Sequence, residues 1–308
     1  MPVGESNKGF GAEKGKIYYV IKGSLAYINW WHETLGNEQF DHSGLLNTYF
    51  VRPGFIYGLS DKLNIYINST LGIRQMYWGG KKESIHHRDE TSLTDYINAQ
   101  GSILGDSRLI FRYIIKNTGT GKGFRLITGS GITIPSRSVL TSDPFFLEGD
   151  ELKEHRHFSL SNGTYNGVFE SQIYYRRNQN PVFVGGFIFF EKPLTESEFG
   201  YLPSTVLTLS LSTSFMNFDQ KESSIDYGLS LVYASQSYWN NLPAPNSKSL
   251  TIIPSIGYLF NSIIGGVSFN IQKPFYISGA FASNEGDIEQ TSSIWQLSFS
   301  VRFMPRSN

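Results

Sequence analysis

The feature that most constrains this chain is a period-two alternation of apolar and polar residues sustained through about twelve long segments. The stretch TVLTLSLSTSF at 205–215 sets Leu207, Leu209, Leu211 and Phe215 on one parity and Thr208, Ser210, Ser212 and Ser214 on the other. Side chains of a strand alternate between faces, so this segment has one apolar and one polar wall. Comparable strands are expected at 17–31, 46–58, 62–77, 105–116, 123–135, 163–176, 181–190, 201–216, 223–238, 249–260, 262–277 and 291–303. Strands of globular proteins average about 5 to 6 residues, whereas a tilted membrane strand needs about 9 to 11. These segments are too long for an ordinary sandwich.

The connections alternate between short and long. GLSD at 58–61, NTGTGK at 117–122, NQN at 178–180, NFDQKE at 217–222 and the neighbourhood of Asn261 are short; 32–45, 78–104, 136–162, 191–200, 239–248 and 278–290 are long. Tight turns at one end and long loops at the other are the habit of outer-membrane barrels. The expectation is therefore an all-β chain folded as a transmembrane, up-and-down antiparallel β-barrel of about twelve strands, with lipid on Leu209 and water on Ser210. Residues 1–16 would be an N-terminal periplasmic segment, 17–303 the barrel and 304–308 a C-terminal tail. The opening MPVGESNKGFGAEKGK has no apolar core of a secretory signal, so a mature or truncated start is expected.

Composition narrows the functional classes. Lys plus Arg equals Asp plus Glu at 26 each, which removes the basic footprint of a nucleic-acid binder. Cysteine is absent, excluding thiolate catalysis and Cys-ligated metals. No G-x-S-x-G elbow occurs, and GTGKGF at 119–124 lacks phosphate-loop spacing, so no enzyme activity and no cofactor are expected. His86 with His87, and His155 with His157, are the weak candidates for a metal.

By parity, Arg52, Arg74, Arg108, Arg112, Arg125 and Arg176 point inward from the second to sixth strands, with Glu170 as the acid beside them. Strands eight to eleven offer Ser, Thr, Gly and Asn, with Asp226. Such a cationic sector either selects anionic solutes or is braced by loop acids such as Glu148, Asp150, Glu151 and Glu154. The segment PVFVGGFIFF at 181–190 is apolar on both parities, which suggests a greasy patch inside the lumen. Trp30, Trp31, Trp78, Tyr201 and Trp239 at the long-loop ends, and Tyr57, Tyr113, Tyr258 and Phe303 at the short-turn ends, read as interfacial aromatic girdles. In the long loops, PFFL near 144 and a short capped helix from Ser92 could fold into the mouth.

GKIYYVIKGSLAY, VRPGFIYGLSDKLNIYINSTLG, LGDSRLIFRYII and GFRLITGSGITIPS, taken in order, resemble the outer-membrane transporters of the phenol-degradation meta-pathway type. Gly58, Asp61, Gly105, Asp106 and Pro135 match the pattern, all at turns or strand ends. One departure is that Phe303, the last aromatic, is followed by MPRSN. The resemblance implies an outer-membrane barrel admitting small organic compounds, often aromatic or hydrophobic. Expected partners are outer-membrane lipid, the solute and the barrel assembly machinery. A plugged, surface-exposed binding or structural barrel is the alternative.

Overall fold

The computed structural model describes residues 11–34, 41–79, 89–118, 121–145, 155–216, 223–262, 265–283 and 289–303. Twelve long antiparallel strands form a closed ring: β1 (Ile17–His32), β2 (His42–Gly58), β3 (Leu63–Gly79), β4 (Leu104–Asn117), β5 (Gly123–Ile134), β6 (Asn166–Arg176), β7 (Phe183–Pro193), β8 (Val206–Met216), β9 (Ser223–Ala234), β10 (Ser249–Ser262), β11 (Gly265–Gln272) and β12 (Gln290–Phe303). Each pairs with its predecessor. β1 closes the ring on β12, from Tyr19↔Phe303 to His32↔Gln290. Full closure leaves no unpaired edge, which is what allows a sheet to stand in hydrocarbon.

The pleat sorts the side chains as the alternation requires. On β8, Thr208 and Ser210 are buried while Leu209 and Leu211 are 40% and 70% exposed. The exposed row continues around the ring through Tyr227, Leu229, Phe269, Ile271, Trp295 and Leu297. A soluble monomer rarely shows one apolar patch beyond a few hundred Å². A belt carried by every stave is a lipid-facing surface.

Two expected strands end sooner than their alternation suggests. β8 begins at Val206 and β9 stops at Ala234. Tyr201–Leu202, Tyr238–Trp239 and Leu242–Pro243 instead form a separate three-stranded sheet at the long-loop end. Gly200, with φ of 80°, makes the tight entry into that sheet, and a side chain there would collide with Asn240. The sequence after β11 also departs: the stave ends at Gln272, and Phe275–Ser278 pairs with β10 across a bulge. Residues 92–99 are not helical. Ser92 accepts the Arg74 backbone N–H at 3.0 Å, and Tyr96 and Ala99 pair in a tight bridge, so the local polar groups close a turn before a helix can start.

Candidate functional site in the lumen and its outer mouth

The inner rows of β1 to β7 carry large side chains. Tyr66, Ile110, Val168, Phe187 and Phe189 pack with Val20, Ile56 and Ala12 into one buried cluster, so the doubly apolar β7 does turn aromatic rings inward. Ala12 belongs to the segment before β1. Its N–H donates to Asn64 Oδ1 at 2.7 Å and its carbonyl accepts from Asn64 Nδ2 at 3.1 Å, both buried. A side chain on Gly11 would collide with Ile114 and Asn64. Residues 11–16 therefore run along the inner wall at the short-turn end, tied also by Gly15 N–H to the Gly58 carbonyl.

All six arginines expected inward lie on inner rows, with several kinds of partner. Arg112 meets Glu170 through Nε to Oε1 at 2.5 Å and Nη2 to Oε2 at 3.2 Å, with both side chains almost fully buried. Its guanidinium lies 4.3 Å from the Tyr66 ring centre. Arg108 meets Glu191 at 2.5 Å, and Glu191 also accepts from Thr133 at 2.7 Å and Asn166 at 3.2 Å. Arg125 and Arg176 both lie over the Phe183 ring, at 5.0 and 5.8 Å. Arg52 lies over Phe50 at 4.8 Å and reaches Ser24. Asp226 is buried on the inner row of β9.

Glu191 falls within the expected long loop at 191–200, yet it stands on the inner row of β7. Inward parity continued from Phe187 and Phe189 would have found it. The loop acids Glu148, Asp150, Glu151 and Glu154 lie outside the described residues; the acids seen on Arg112 and Arg108 come from the wall itself.

Arg74, nearest the long-loop end, differs. Its Nε donates to Thr48 Oγ1 at 3.3 Å and its Nη1 to the Ser159 carbonyl at 3.1 Å. Among the described residues no carboxylate pairs with it, and the phenol of Tyr276 is its electrostatic neighbour. Arg74 lines a cavity of about 180 Å³ together with Phe145, His157, Phe158, Tyr201 and Trp239. Three elements build this space: β3, the 135–165 loop and the small sheet at the mouth. Tyr201 stacks on Trp239 at 4.7 Å, and burial pushes its phenol above the ordinary value, against a hydrogen bond with Ser237, so it is neutral at pH 7. Phe158 lies between two guanidiniums, 5.7 Å from Arg74 and 5.8 Å from Arg156. Arg156, a buried loop residue that alternation could not place, has the charges of Glu90 and Asp95 nearby. A larger cavity of about 670 Å³, lined by Leu25, Tyr49, Val51, Leu71, Leu297 and Phe299, opens on the lipid-facing belt instead.

Several girdle assignments change. Trp30 and Trp78 are on inner rows, edge to face at 5.5 Å, packed with Leu46, Met76 and Phe158. Their parity matches Ile28 and Met76, so the same alternation that placed the arginines inward places them there too. Trp239 and Tyr201 belong to the mouth sheet, since the chain is off the barrel wall from 194 to 205 and again from 235 to 248. Trp31, Tyr57, Tyr113, Tyr258 and Phe303 lie on outer rows, with Phe303 stacked on Tyr19 at 5.5 Å. His155 and His157 bring their Nε2 atoms to 3.1 Å, but among the described residues no group of three His, Asp or Glu could hold a metal. His86 and His87 fall outside the described residues.

No protein-family model matches the sequence, and no curated relative matches it. Solved structures do. An outer membrane channel from Pseudomonas putida F1 superposes with a TM-score of 0.61 at 10% identity, over 96% of this chain and 97% of that one. The P. putida toluene transporter TodX gives 0.44 at 10% identity, over 96% of this chain and 92% of that one. Taken with the closed ring and the lipid-facing belt, the first likeness makes the fold that of a twelve-stranded outer-membrane β-barrel.

Proposed function

We propose that this barrel is an outer-membrane channel for passive uptake of small organic solutes, aromatic or hydrophobic, of the kind its turn motifs resemble in the meta-pathway transporters. The observation that carries the reading is the mouth cavity: about 180 Å³, with the rings of Phe145, Phe158, Tyr201 and Trp239 on a wall that also holds Arg74, Ser159, Ser161 and Asn162. An engineered apolar cavity of about 150 Å³ takes up benzene, so this one matches a single aromatic ring in size. Solute would enter between the long loops, pass Arg74 and descend beside the Ser and Thr rows of β8 to β12, driven by its gradient. The Arg108 and Arg112 pairs are braces in this reading, because each guanidinium already meets a carboxylate. Catalysis has no part in it.

Accumulation of a labelled monoaromatic in liposomes containing the purified chain tests the proposal. Uptake no faster than in protein-free liposomes would refute it.

A second reading has its own support. The cluster from Ala12 to Phe189 packs inside the lumen, and the N-terminal segment is tied into it. A barrel plugged in this way would bind at its mouth without conducting. Planar-bilayer recording without conductance steps would favour it.

A further inference from the structure

We infer that the mouth cavity binds a small aromatic anion, a monoaromatic carboxylate, with the ring in the aromatic cage and the carboxylate on Arg74. The inference deepens the proposed uptake by naming the solute class of that site, and rests on the mouth being where solute first lodges.

A cavity built for a neutral hydrocarbon has no use for a guanidinium on its wall. Deeper in the lumen, Arg108 and Arg112 each meet a wall carboxylate, Glu191 and Glu170. Arg74 has two neutral acceptors, Thr48 and the Ser159 carbonyl, and no acid among the described residues. Those bonds occupy Nε and Nη1 and fix the plane of the fork, while no protein acceptor among the described residues takes the N–H groups of Nη2. A half-buried guanidinium with an N–H group turned to an open cavity is placed to bind an anion. A planar carboxylate suits a planar guanidinium, and charge-assisted bonds of this type are short and directional. Beside it stand Phe158 and Phe145, with the Tyr201 and Trp239 stack, at a size that fits one ring. Aliphatic acids would leave those faces unfilled, and neutral aromatics would leave the charge unmet.

The alternative role for Arg74 is a strut that ties the 159 loop to the wall. Ligand choice separates the two, because a strut has no preference among solutes.

The test uses the full chain in detergent micelles at pH 7, with three probes: benzoate, benzyl alcohol and acetate. Binding is read by equilibrium dialysis of labelled probe and by tryptophan fluorescence, Trp239 being in the cage. Benzoate is expected to saturate one site at least ten-fold more tightly than benzyl alcohol, which keeps the ring, or acetate, which keeps the charge. R74Q should weaken benzoate by about 10- to 100-fold, the loss of a charge-assisted contact, with R74K recovering part of it. R125Q, at the far end of the lumen, should bind like the parent. Should R74Q fail to fold, the probe series on the parent protein still decides. Equal affinity for benzyl alcohol and benzoate, or no saturable benzoate binding, overturns the inference. A protein that conducts but binds no benzoate refutes this site and leaves the channel. One that binds benzoate without conducting refutes the channel and leaves the site.

Discussion

The two halves of the barrel wall are built on different rules. From β1 to β7 the inner rows carry Tyr66, Ile110, Arg112, Phe187 and Phe189, all buried against one another. From β8 to β12 the same rows carry Thr208, Ser210, Ser230, Ser268 and Ser300, joined by hydroxyl pairs at 2.7 Å between Ser210 and Ser230 and between Ser268 and Ser300. The outer rows do not differ: Ile188 and Leu209 face the same lipid. So the asymmetry comes from the lumen. A ring of twelve is too wide for small side chains to fill and too narrow for bulky ones on every stave. Large groups on one side laid against small groups on the other solve this, and leave any passage beside the hydroxyl rows.

The contrast is broken most severely at the buried ion pair of the bulky half. E170A leaves the Arg112 guanidinium buried without its carboxylate, and an orphaned charge of this kind costs about 3 to 5 kcal/mol. Denaturant unfolding in detergent should show that loss, and replacing Arg112 and Glu170 together by Leu should cost less than E170A alone. A double variant as damaged as the single one would mean the pair is not what holds that half together.

Next comes the contrast between faces of one stave. Leu211, near the middle of β8, is exposed to lipid, so L211R should cost about 2 to 4 kcal/mol in a bilayer, the price of an arginine near the midplane. S210A, one residue away on the inner row, should cost far less. Equal effects at the two positions would mean that the belt does not face hydrocarbon.

A third change tests whether the bulky half includes the N-terminal segment. N64A removes both bonds to the Ala12 backbone, and each unmet buried group is worth about 1 to 3 kcal/mol. The expected result is a barrel that stays folded with larger or more frequent conductance steps. Unaltered conductance would mean that residues 11–16 do not obstruct the lumen.

Much of this was legible from alternation, because pleat and closure act locally: the twelve staves, the lipid-facing Leu209 and the inward Arg112 all follow from parity and turn spacing. What alternation could not supply was which end of an apolar row stays on the wall. Trp30 and Trp78 look like interfacial rings until parity is carried one full turn past the belt, where it puts them inside with Met76. Tyr201 and Trp239 extend the alternation of β8 and β9 beyond the ends of those staves, and two residues pairing with two others in a mouth sheet leave no periodic trace. Arg156 and Phe158 sit in a loop without any period, so their meeting with Arg74 depends on long-range packing that a pattern cannot encode.

The smallest effect belongs to the sparse half. Each hydroxyl pair there joins neutral groups, and S268A should cost about 0.5 to 1.5 kcal/mol, within the range of a single net hydrogen bond. Its value lies in what should accompany it. If solute moves beside these rows, removing one hydroxyl alters the polarity of the path while hardly touching stability, so the ratio of uptake rates for a polar and a non-polar aromatic should shift in liposomes. The matching change in the bulky half, I110V, should trim stability by about 0.5 to 1.5 kcal/mol and leave that ratio where it was. Reversal of the pattern, with the ratio moving for I110V and not for S268A, would place the path among the aromatic side chains and make the hydroxyl rows the packed side of the wall.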